Sequence, residues 1–290
     1  MSPELTIIIP CLNEEGAINE TLCSLSSVLG SEFSYEIIAV DDGSSDSTGA
    51  KLSELCASND RLRVITHERN LGYGAALKSG IRRARGTLVA IIDADGTYPI
   101  TRFPDLIALC RDVDMVVGAR VGSGASQSKL RTIAKYLLAR WVSWIARTKV
   151  PDINSGMRIF RRSIAERYIG ILPDGFSFTI TITLAMLTNY HSVHFEPIDY
   201  APRIGKSKIQ PIQDTLRFIT IILRTGMYFA PLRALMPLVL ALFCLSAISF
   251  GYDVFVLRNL TDKTVLLFLS AFNTAMLALL ADMIDKRTAR

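Results

Sequence analysis

Two acidic residues, Asp93 and Asp95, follow an apolar run that ends at Ile92. A run of this kind is typical of a strand that is covered on both faces of an α/β sheet. Open α/β sheets bind their ligands at the carboxyl ends of such strands. Only one small residue separates the carboxylates, so both can bind one hard cation that keeps coordination positions for phosphate oxygens. A plain strand-to-turn exit is the alternative, because Asp and Gly are ordinary turn residues.

Two further predicted strands also end in polar groups. Asp41 and Asp42 end the second strand, and Asn13, Glu14 and Glu15 follow the first. Carboxylates at a strand end can accept hydrogen bonds from a nucleotide base or from ribose hydroxyls. Three such ends in succession predict a cleft for a nucleotide and a metal ion. The chain has no P-loop motif and no complete G-x-G-x-x-G after its first strand, which argues against P-loop and dinucleotide-binding folds.

The chain up to about residue 120 alternates short apolar strands with amphipathic helices. This alternation predicts right-handed βαβ units around a mostly parallel sheet. The predicted strands are Leu5–Ile9, Glu36–Val40, Arg63–Thr66, Leu88–Ile92 and Met115–Val117. The predicted helices are Gly16–Leu29, Ser47–Ala57, Tyr73–Ala84 and Phe103–Arg111, with a longer helical stretch from Ser126 to Arg147.

Apolar residues make up 50% of the chain and are concentrated near its C-terminal end. Leu235–Leu257 and Thr264–Ile284 are each long enough to cross a bilayer, at about 1.5 Å per helical residue against roughly 30 Å of hydrocarbon. Buried core helices are the alternative. The short segment that joins the two stretches favours a membrane hairpin.

Charge and cysteine content indicate the cellular compartment. Basic residues are more numerous outside the two spans than between them, which favours a cytosolic location for both ends. The net charge of +5 needs no nucleic acid as partner, because an anionic membrane surface is sufficient. Five scattered cysteines without a C-x-x-C pair argue against a disulfide framework and a zinc site. The N-terminal residues do not resemble a signal peptide, and we expect a multi-pass protein, most simply of a bacterial inner membrane.

The segment Pro211–Ala230 carries an apolar stripe and has arginines on another face. This pattern predicts an interfacial helix along the membrane, the alternative being an amphipathic helix packed on the preceding domain. We therefore divide the chain into an α/β catalytic domain (1–208), a juxtamembrane amphipathic helix (209–232) and a transmembrane hairpin (233–290) with spans at about 235–257 and 264–284. Association into a homo-oligomer through the small residues of the hairpin is a further hypothesis.

Five segments in the first 120 residues together resemble the family 2 glycosyltransferases of the GT-A fold. They are IIIPCLNEE, VDDGSSDST, ERNLGYGAALKSGIRRARG, DADGTYP and VVGAR. The later segments DINSGMRIFRR and APRIGKSK and the hairpin are similar to those of the polyprenyl-phosphate glycosyltransferases. That group contains dolichyl-phosphate mannose synthases and undecaprenyl-phosphate glucosyltransferases. The resemblance implies a Rossmann-like GT-A domain that transfers a hexose from a nucleotide sugar to a polyprenyl phosphate at the cytosolic membrane face, with inversion and with a metal ion.

The resemblance also implies a role for individual residues. Asp93 and Asp95 would hold Mg²⁺ or Mn²⁺, and the catalytic group would be Asp95, Arg120 and Asp152. Asp152 would lie beside the acceptor, either as a base or to orient a basic side chain or the sugar. The nucleotide sugar would be bound by Pro10, Asn13, Glu15, Asp41, Asp42, Lys78, Asp93, Ala94 and Arg120. The lipid phosphate would be bound by Arg131, Lys135, Arg203, Lys206 and Lys208.

Two departures from the family pattern bear on the substrate. Gly96-Thr97-Tyr98 stands where many mannose synthases have Leu-Gln, which favours a UDP-sugar over GDP-mannose as donor. Thr179–Thr181 stands where relatives often carry an acid, so the role of that acid in positioning acceptor or sugar is not carried over. Transfer to another lipid or to a polysaccharide is an alternative, although the Q-x-x-R-W motif of processive synthases is absent. A second alternative is a non-catalytic scaffold that binds a nucleotide sugar.

Overall fold

The computed structural model describes residues 3–120, 139–200, 220 and 223–288. Its strands are β1 (Leu5–Cys11), β2 (Tyr35–Asp41), β3 (Leu62–Thr66), β4 (Leu88–Ile91), β5 (Met115–Arg120), β6 (Arg158–Arg161) and β7 (Val193–Ile198). Its helices are α1 (Ile18–Leu29), α2 (Thr48–Ser58), α3 (Tyr73–Arg83), α4 (Phe103–Leu109), α5 (Arg162–Tyr168), α6 (Phe178–Thr188), α7 (Pro231–Tyr252) and α8 (Asp262–Thr288). A 3₁₀ turn at Ile100–Arg102 precedes α4, and a π-helical turn at Asp253–Leu257 follows α7.

The seven strands form one sheet in the order β3-β2-β1-β4-β6-β5-β7. The first four pair in parallel, as does β5 with β7, and β6 runs antiparallel between β4 and β5. The mostly parallel sheet predicted from the strand and helix alternation is therefore confirmed. The antiparallel strand brings the segment before β6 to the edge where β4 and β5 end.

Helices cover both faces of the sheet, because side chains of one strand point alternately to opposite faces. Ile7 and Ile9 of β1 pack with α1, α2 and α4 on one face. Ile8 of the same strand packs with α3, α5 and α6 on the other face. Burial on both faces explains why β1, β2 and β4 consist mostly of apolar residues instead of alternating with polar ones.

Helix α6 joins the sheet to the base of the C-terminal hairpin. Phe178 and Ile182 face the sheet, whereas Ile180 and Leu184 pack with Ile145, Ala230 and Ala234 in a third apolar cluster. Ten of its eleven residues are buried. Because α6 is buried between the sheet and the third cluster, it holds the α/β domain against the start of α7.

Helices α7 and α8 are long and apolar enough to cross a membrane. Only 22% and 17% of their most apolar windows are buried, which does not fit the core helices of a soluble domain. The predicted spans thus lie within an antiparallel pair of exposed apolar helices. Residues 139–146 and 223–229 are helical, whereas the remainder of the helices predicted at Ser126–Arg147 and Pro211–Ala230 lies mostly outside the described residues.

A buried carboxylate fixes the turn of the hairpin. Asp253 is fully buried, and its Oδ2 accepts hydrogen bonds from the Thr261 amide (2.8 Å), the Thr261 hydroxyl (2.7 Å) and the Thr264 hydroxyl (2.7 Å). The Ser249 hydroxyl lies 2.6 Å from that of Thr264. The carboxylate therefore caps the start of α8 and sets where it pairs with α7.

Replacement of Asp253 tests this role. Asp253→Ala leaves three donors without their acceptor and should lower the free energy of unfolding of the hairpin by about 2 kcal/mol. Asp253→Asn keeps one acceptor oxygen and should lower the free energy of unfolding by less. Thermal unfolding in detergent micelles, followed by circular dichroism, measures the difference, with the exposed Asn259→Ala as control. Equal melting temperatures for wild type, Asp253→Ala and Asp253→Asn would contradict the role of the carboxylate.

Candidate active site

The carboxyl ends of β1, β2 and β4 lie side by side at one edge of the sheet. Cys11 is paired with Asp41, and Ile8 with Ile91. The loops that follow these strands carry most of the residues implied for nucleotide and metal binding. The predicted acidic groups of the first, second and fourth strands are therefore brought to one rim.

The loops after β1 and β2 are locked together. The Ser45 amide donates to Asn13 Oδ1 (2.8 Å), and the Ser47 amide donates to Glu15 Oε2 (3.0 Å). The amide of Asn13 donates to Ser44 Oγ (3.0 Å). Asn13 has a left-handed backbone (φ 56°), which an asparagine tolerates better than most residues. Asn13 and Glu15 thus bind the second loop as well as lining this end of the rim, next to Pro10 in β1.

Asp41 and Asp42 are buried and hold the backbone of neighbouring loops. Asp41 Oδ1 accepts from the Ser44 amide at 3.0 Å. Asp42 accepts from the amides of Leu71 (3.0 Å) and Gly72 (2.8 Å), and lies 2.6 Å from His67 Nδ1. The structure gives Asp42 the task of positioning the loop before α3.

The turn after β4 presents the paired carboxylates. Asp95 Oδ1 accepts from the Thr97 amide (3.2 Å) and hydroxyl (2.6 Å), as in an ordinary Asx turn. Ala94 between the acids is buried, and its carbonyl accepts from the Thr21 hydroxyl of α1 at 3.0 Å. The turn is thus anchored to α1, and both acids are half-buried at the rim.

Asp93 is held from two sides. The Tyr73 hydroxyl donates to Asp93 Oδ1 at 3.0 Å. Burial and the negative charge of Asp93 raise the pKa of Tyr73 well above its ordinary value, so the phenol remains a donor. On the other side, a Cβ added to Gly156 would collide with the Asp93 carboxylate, whose Cγ would lie only 2.8 Å away. This close approach requires glycine at position 156.

The donor set fits a hard divalent cation. Asp93 and Asp95 supply only carboxylate oxygens, which Mg²⁺ and Mn²⁺ prefer. Within the described parts of the chain, no group of three or more His, Cys, Asp or Glu residues is placed to hold a metal ion. A cation at the pair would therefore complete its coordination with phosphate oxygens and water, as Mg²⁺ commonly does.

Arg120, the last residue of β5, forms a bidentate ion pair with Asp152 from the segment before β6. Arg120 Nε and Nη2 donate to the two oxygens of Asp152 at 2.7 and 3.0 Å. Burial opposes ionisation, but these hydrogen bonds and the charge of Asp152 raise the pKa of Arg120 above its usual value. The guanidinium also lies over the ring of Tyr200, 5.3 Å from its centroid. Arg120 is thus a permanently charged group in a fixed orientation.

Arg158 is a second cation beneath the site, and it is fully buried. Its Nη1 donates to the Thr179 carbonyl (3.1 Å) and the Thr183 hydroxyl (2.9 Å), and its Nε donates to the Ser155 carbonyl (3.1 Å). Burial lowers the pKa of this arginine. Each of these hydrogen-bond partners is neutral, whereas the nearby charge of Asp152 favours the ionised form of Arg158.

Other predicted residues take different places. Lys78 forms an ion pair with Asp174 and donates to the Leu172 carbonyl at 3.1 Å, so it fastens the loop before α6. The five residues expected to bind a lipid phosphate lie outside the described residues: Arg131, Lys135, Arg203, Lys206 and Lys208.

Several site residues were not predicted from the sequence. Tyr73, Tyr98 and Arg158 all adjoin the carboxylates or the segment before β6. Tyr98 Oη accepts from the Gly156 amide at 2.6 Å, and burial together with Asp93 raises the pKa of Tyr98 to about 12. The signal that could have identified Arg158 is its position directly before the apolar pair Ile159 and Phe160 in a short buried strand.

Two family models match the chain. The model described as glycosyl transferase family 2 matches residues 6–169, and the model described as GtrB C-terminal hairpin matches residues 230–286. These matches cover the α/β domain up to α5 and the pair of apolar helices.

Curated proteins similar to the chain are sugar transferases and synthases by name. A dolichyl-phosphate hexose transferase of Haloferax volcanii is 29% identical over 72% of this chain and 87% of its own length. A dodecaprenyl-phosphate galacturonate synthase of Rhizobium johnstonii is 27% identical over 98% of this chain and 88% of its own. Other relatives are longer, and the chain spans about half the length of several curated relatives it matches.

Solved structures identify the fold as GT-A. A glucosyl-3-phosphoglycerate synthase from Mycobacterium tuberculosis, solved with Mn²⁺, UDP and glucosyl-3-phosphoglycerate, superimposes with a TM-score of 0.59. The match covers 77% of this chain and 80% of that chain, at 20% sequence identity. The Rossmann-like, mostly parallel architecture implied by the sequence is therefore confirmed.

The contact between Gly156 and Asp93 gives a direct test of the metal site. Gly156→Ala must displace Asp93, and we expect the apparent Kd for Mn²⁺, measured by electron paramagnetic resonance with UDP present, to rise about tenfold or more. Gly170→Ala is the matched control, because its Cβ would meet no atom within 4 Å. Unchanged Mn²⁺ affinity in a folded Gly156→Ala protein would remove Asp93 from the metal site.

Proposed function

Because the chain belongs to glycosyl transferase family 2, we propose that it transfers a hexose from a nucleotide sugar to a polyprenyl phosphate at a membrane surface. The observation that carries this proposal is that one edge of the sheet presents Asp93 and Asp95 after β4 and the Arg120–Asp152 pair at the end of β5, in a domain joined to an apolar hairpin. Two relatives match this chain over most of their own length, a dolichyl-phosphate hexose transferase and a dodecaprenyl-phosphate galacturonate synthase. Their names support the same class of acceptor.

The donor would lie along the rim formed by the ends of β1, β2 and β4. Its nucleoside would contact Pro10 and the locked loops that carry Asn13, Glu15 and Asp42. A UDP-sugar is favoured over GDP-mannose, because Gly96-Thr97-Tyr98 departs from the pattern of many mannose synthases. A divalent cation at Asp93 and Asp95, Mg²⁺ or Mn²⁺, would neutralise charge on the diphosphate.

Arg120 would stabilise the leaving diphosphate. Charge develops on the departing oxygens as the sugar acquires oxocarbenium character, and a fixed cation lowers the energy of that state more than that of the bound substrate. Asp152 holds the guanidinium in place through two hydrogen bonds. Preorganisation of this kind avoids reorienting a flexible side chain during the reaction.

The acceptor needs no strong general base, because a phosphate monoester is already an anion. Both oxygens of Asp152 are hydrogen-bonded to Arg120, which favours an orienting role for this carboxylate. The resemblance implies that Arg131, Lys135, Arg203, Lys206 and Lys208 bind the lipid phosphate. Attack from the face opposite the diphosphate would invert the anomeric carbon.

The apolar hairpin would hold the catalytic domain at the bilayer. Trp144 is exposed, and its indole donates to the Arg233 carbonyl at the start of α7 (3.3 Å). Indole rings and arginines are common where helices leave the hydrocarbon. We propose that the catalytic domain and both ends of the hairpin lie on the cytosolic side of a bacterial inner membrane. We also propose that the catalytic domain ends at about residue 208 and the juxtamembrane helix at about residue 232.

The proposed reaction is tested on membranes that contain the full chain. We expect labelled UDP-glucose, UDP-galacturonate or GDP-mannose, given with undecaprenyl phosphate and Mn²⁺, to produce an acid-labile product soluble in chloroform. Asp95→Ala should reduce turnover at least about a hundredfold while the protein still inserts in the membrane. Absence of a lipid product with every donor would contradict the proposal. Label in diacylglycerol or in a polysaccharide would identify a different acceptor.

Asp152 and Arg120 should act as one unit. Asp152→Asn keeps one acceptor for Arg120, and we expect kcat to fall about tenfold with an unchanged pH profile. Combination with Arg120→Lys should cost less than the sum of the two single effects, because the residues are in contact. A loss of about a thousandfold together with loss of the acidic limb of the profile would instead identify Asp152 as the base.

A further inference from the structure

Phe176 is an apolar side chain that the fold does not bury. Its side chain is 75% exposed, although it lies between the buried Leu172 and Phe178. Exposure of a single apolar residue is common. The surroundings of Phe176 set it apart, because it stands in a fixed loop beside the candidate active site.

The loop that carries Phe176 is tied to α3 and to α6. The Ala75 amide donates to the Asp174 carbonyl (3.0 Å), and Lys78 forms an ion pair with the Asp174 side chain. The Phe178 amide donates to the Gly175 carbonyl at 3.2 Å. Gly74 has no space for a side chain, because a Cβ there would collide with the Pro173 carbonyl. These contacts fix the backbone of the loop on either side of Phe176.

One face of the Phe176 ring stacks on Tyr73. The ring centroids are 5.4 Å apart and the planes are inclined by 19°. The hydroxyl of the same tyrosine donates to Asp93 at 3.0 Å. One aromatic side chain therefore separates Phe176 from the carboxylate expected to hold the donor diphosphate.

The backbone of Phe176 adjoins the opposite side of the site. The Thr179 hydroxyl lies within hydrogen-bonding distance of the Phe176 carbonyl (3.4 Å) and of Asn154 Oδ1 (2.8 Å). The Asn154 amide in turn donates to Asp152 at 3.1 Å. Phe176 is thus linked by short chains of contacts both to Asp93 and to the Arg120–Asp152 pair.

We propose that Phe176, supported by Tyr73, packs against the C–H face of the donor hexose and contributes to the choice of sugar. This inference rests on the proposed function and adds a sugar-contacting residue to it. A hexose has an apolar C–H face and polar edges, which suits an exposed ring that stacks on a tyrosine whose hydroxyl binds a carboxylate. A polyprenyl chain is the less suitable occupant, because that carboxylate, Asp93, is the one expected to hold the donor diphosphate.

Binding measurements with and without the sugar test the contact. Isothermal titration calorimetry with Mn²⁺ compares UDP with the UDP-sugar that the wild-type protein binds most tightly. Phe176→Ala should weaken binding of the UDP-sugar about tenfold and leave binding of UDP unchanged. Phe176→Trp keeps an aromatic face and should restore most of the affinity. Ile171→Ala, at an exposed apolar residue of the same loop, is the matched control and should change neither affinity.

The outcomes separate this inference from the proposed function. Equal weakening of UDP and UDP-sugar binding by Phe176→Ala, or no weakening of either, would overturn the sugar contact. A changed KM for polyprenyl phosphates of different length, with unchanged UDP-sugar binding, would assign Phe176 to the lipid and also overturn it. Failure of the wild-type protein to bind any nucleotide sugar would overturn the proposed function itself.

Discussion

Strand β6 runs antiparallel between β4 and β5, and this pairing determines which groups can meet in the site. It carries the segment before it to the edge where β4 and β5 end, so that Asp152 reaches Arg120 and Gly156 reaches Asp93. The same strand begins with the buried Arg158. Burial of a cation costs several kcal/mol of desolvation. Its hydrogen bonds to neutral groups and the nearby charge of Asp152 offset part of that cost.

The α/β part of the fold could be predicted because its strands are apolar on both faces and its helices have one apolar face. The predicted strands and the first four helices correspond to β1–β5 and α1–α4 with small shifts at their ends. Helix α6 could not be predicted in this way, because its sequence FTITITLAMLT alternates as a strand does. Its burial between the sheet and the base of the hairpin favours a helix over the strand that the alternation suggests. Within the helix, the Thr183 hydroxyl donates a hydrogen bond to the Thr179 carbonyl at 2.7 Å, so this polar group is satisfied locally.

Some residues of the candidate site could likewise be predicted from the sequence, and others could not. Asp93 and Asp95 were found from their position after an apolar strand, which is a local signal. Partners that come from distant segments leave no such signal, and Tyr73 is an example, since its hydrogen bond to Asp93 joins residues 20 positions apart. Asp42 has a structural role that no local signal gave. Besides standing at a strand end, where a ligand could bind, it accepts hydrogen bonds from the amides of Leu71 and Gly72.

The turn after β4 and the segment before β6 share two contacts, the hydrogen bond from the Gly156 amide to Tyr98 and the approach of Gly156 to Asp93. Neither loop can therefore change its backbone path without the other. Loop grafting to alter the donor would therefore have to exchange residues 93–98 and 152–158 together. A turn from another protein would not fit against the present segment 152–158. The same dependence means that the two loops should drift together as related enzymes diverge.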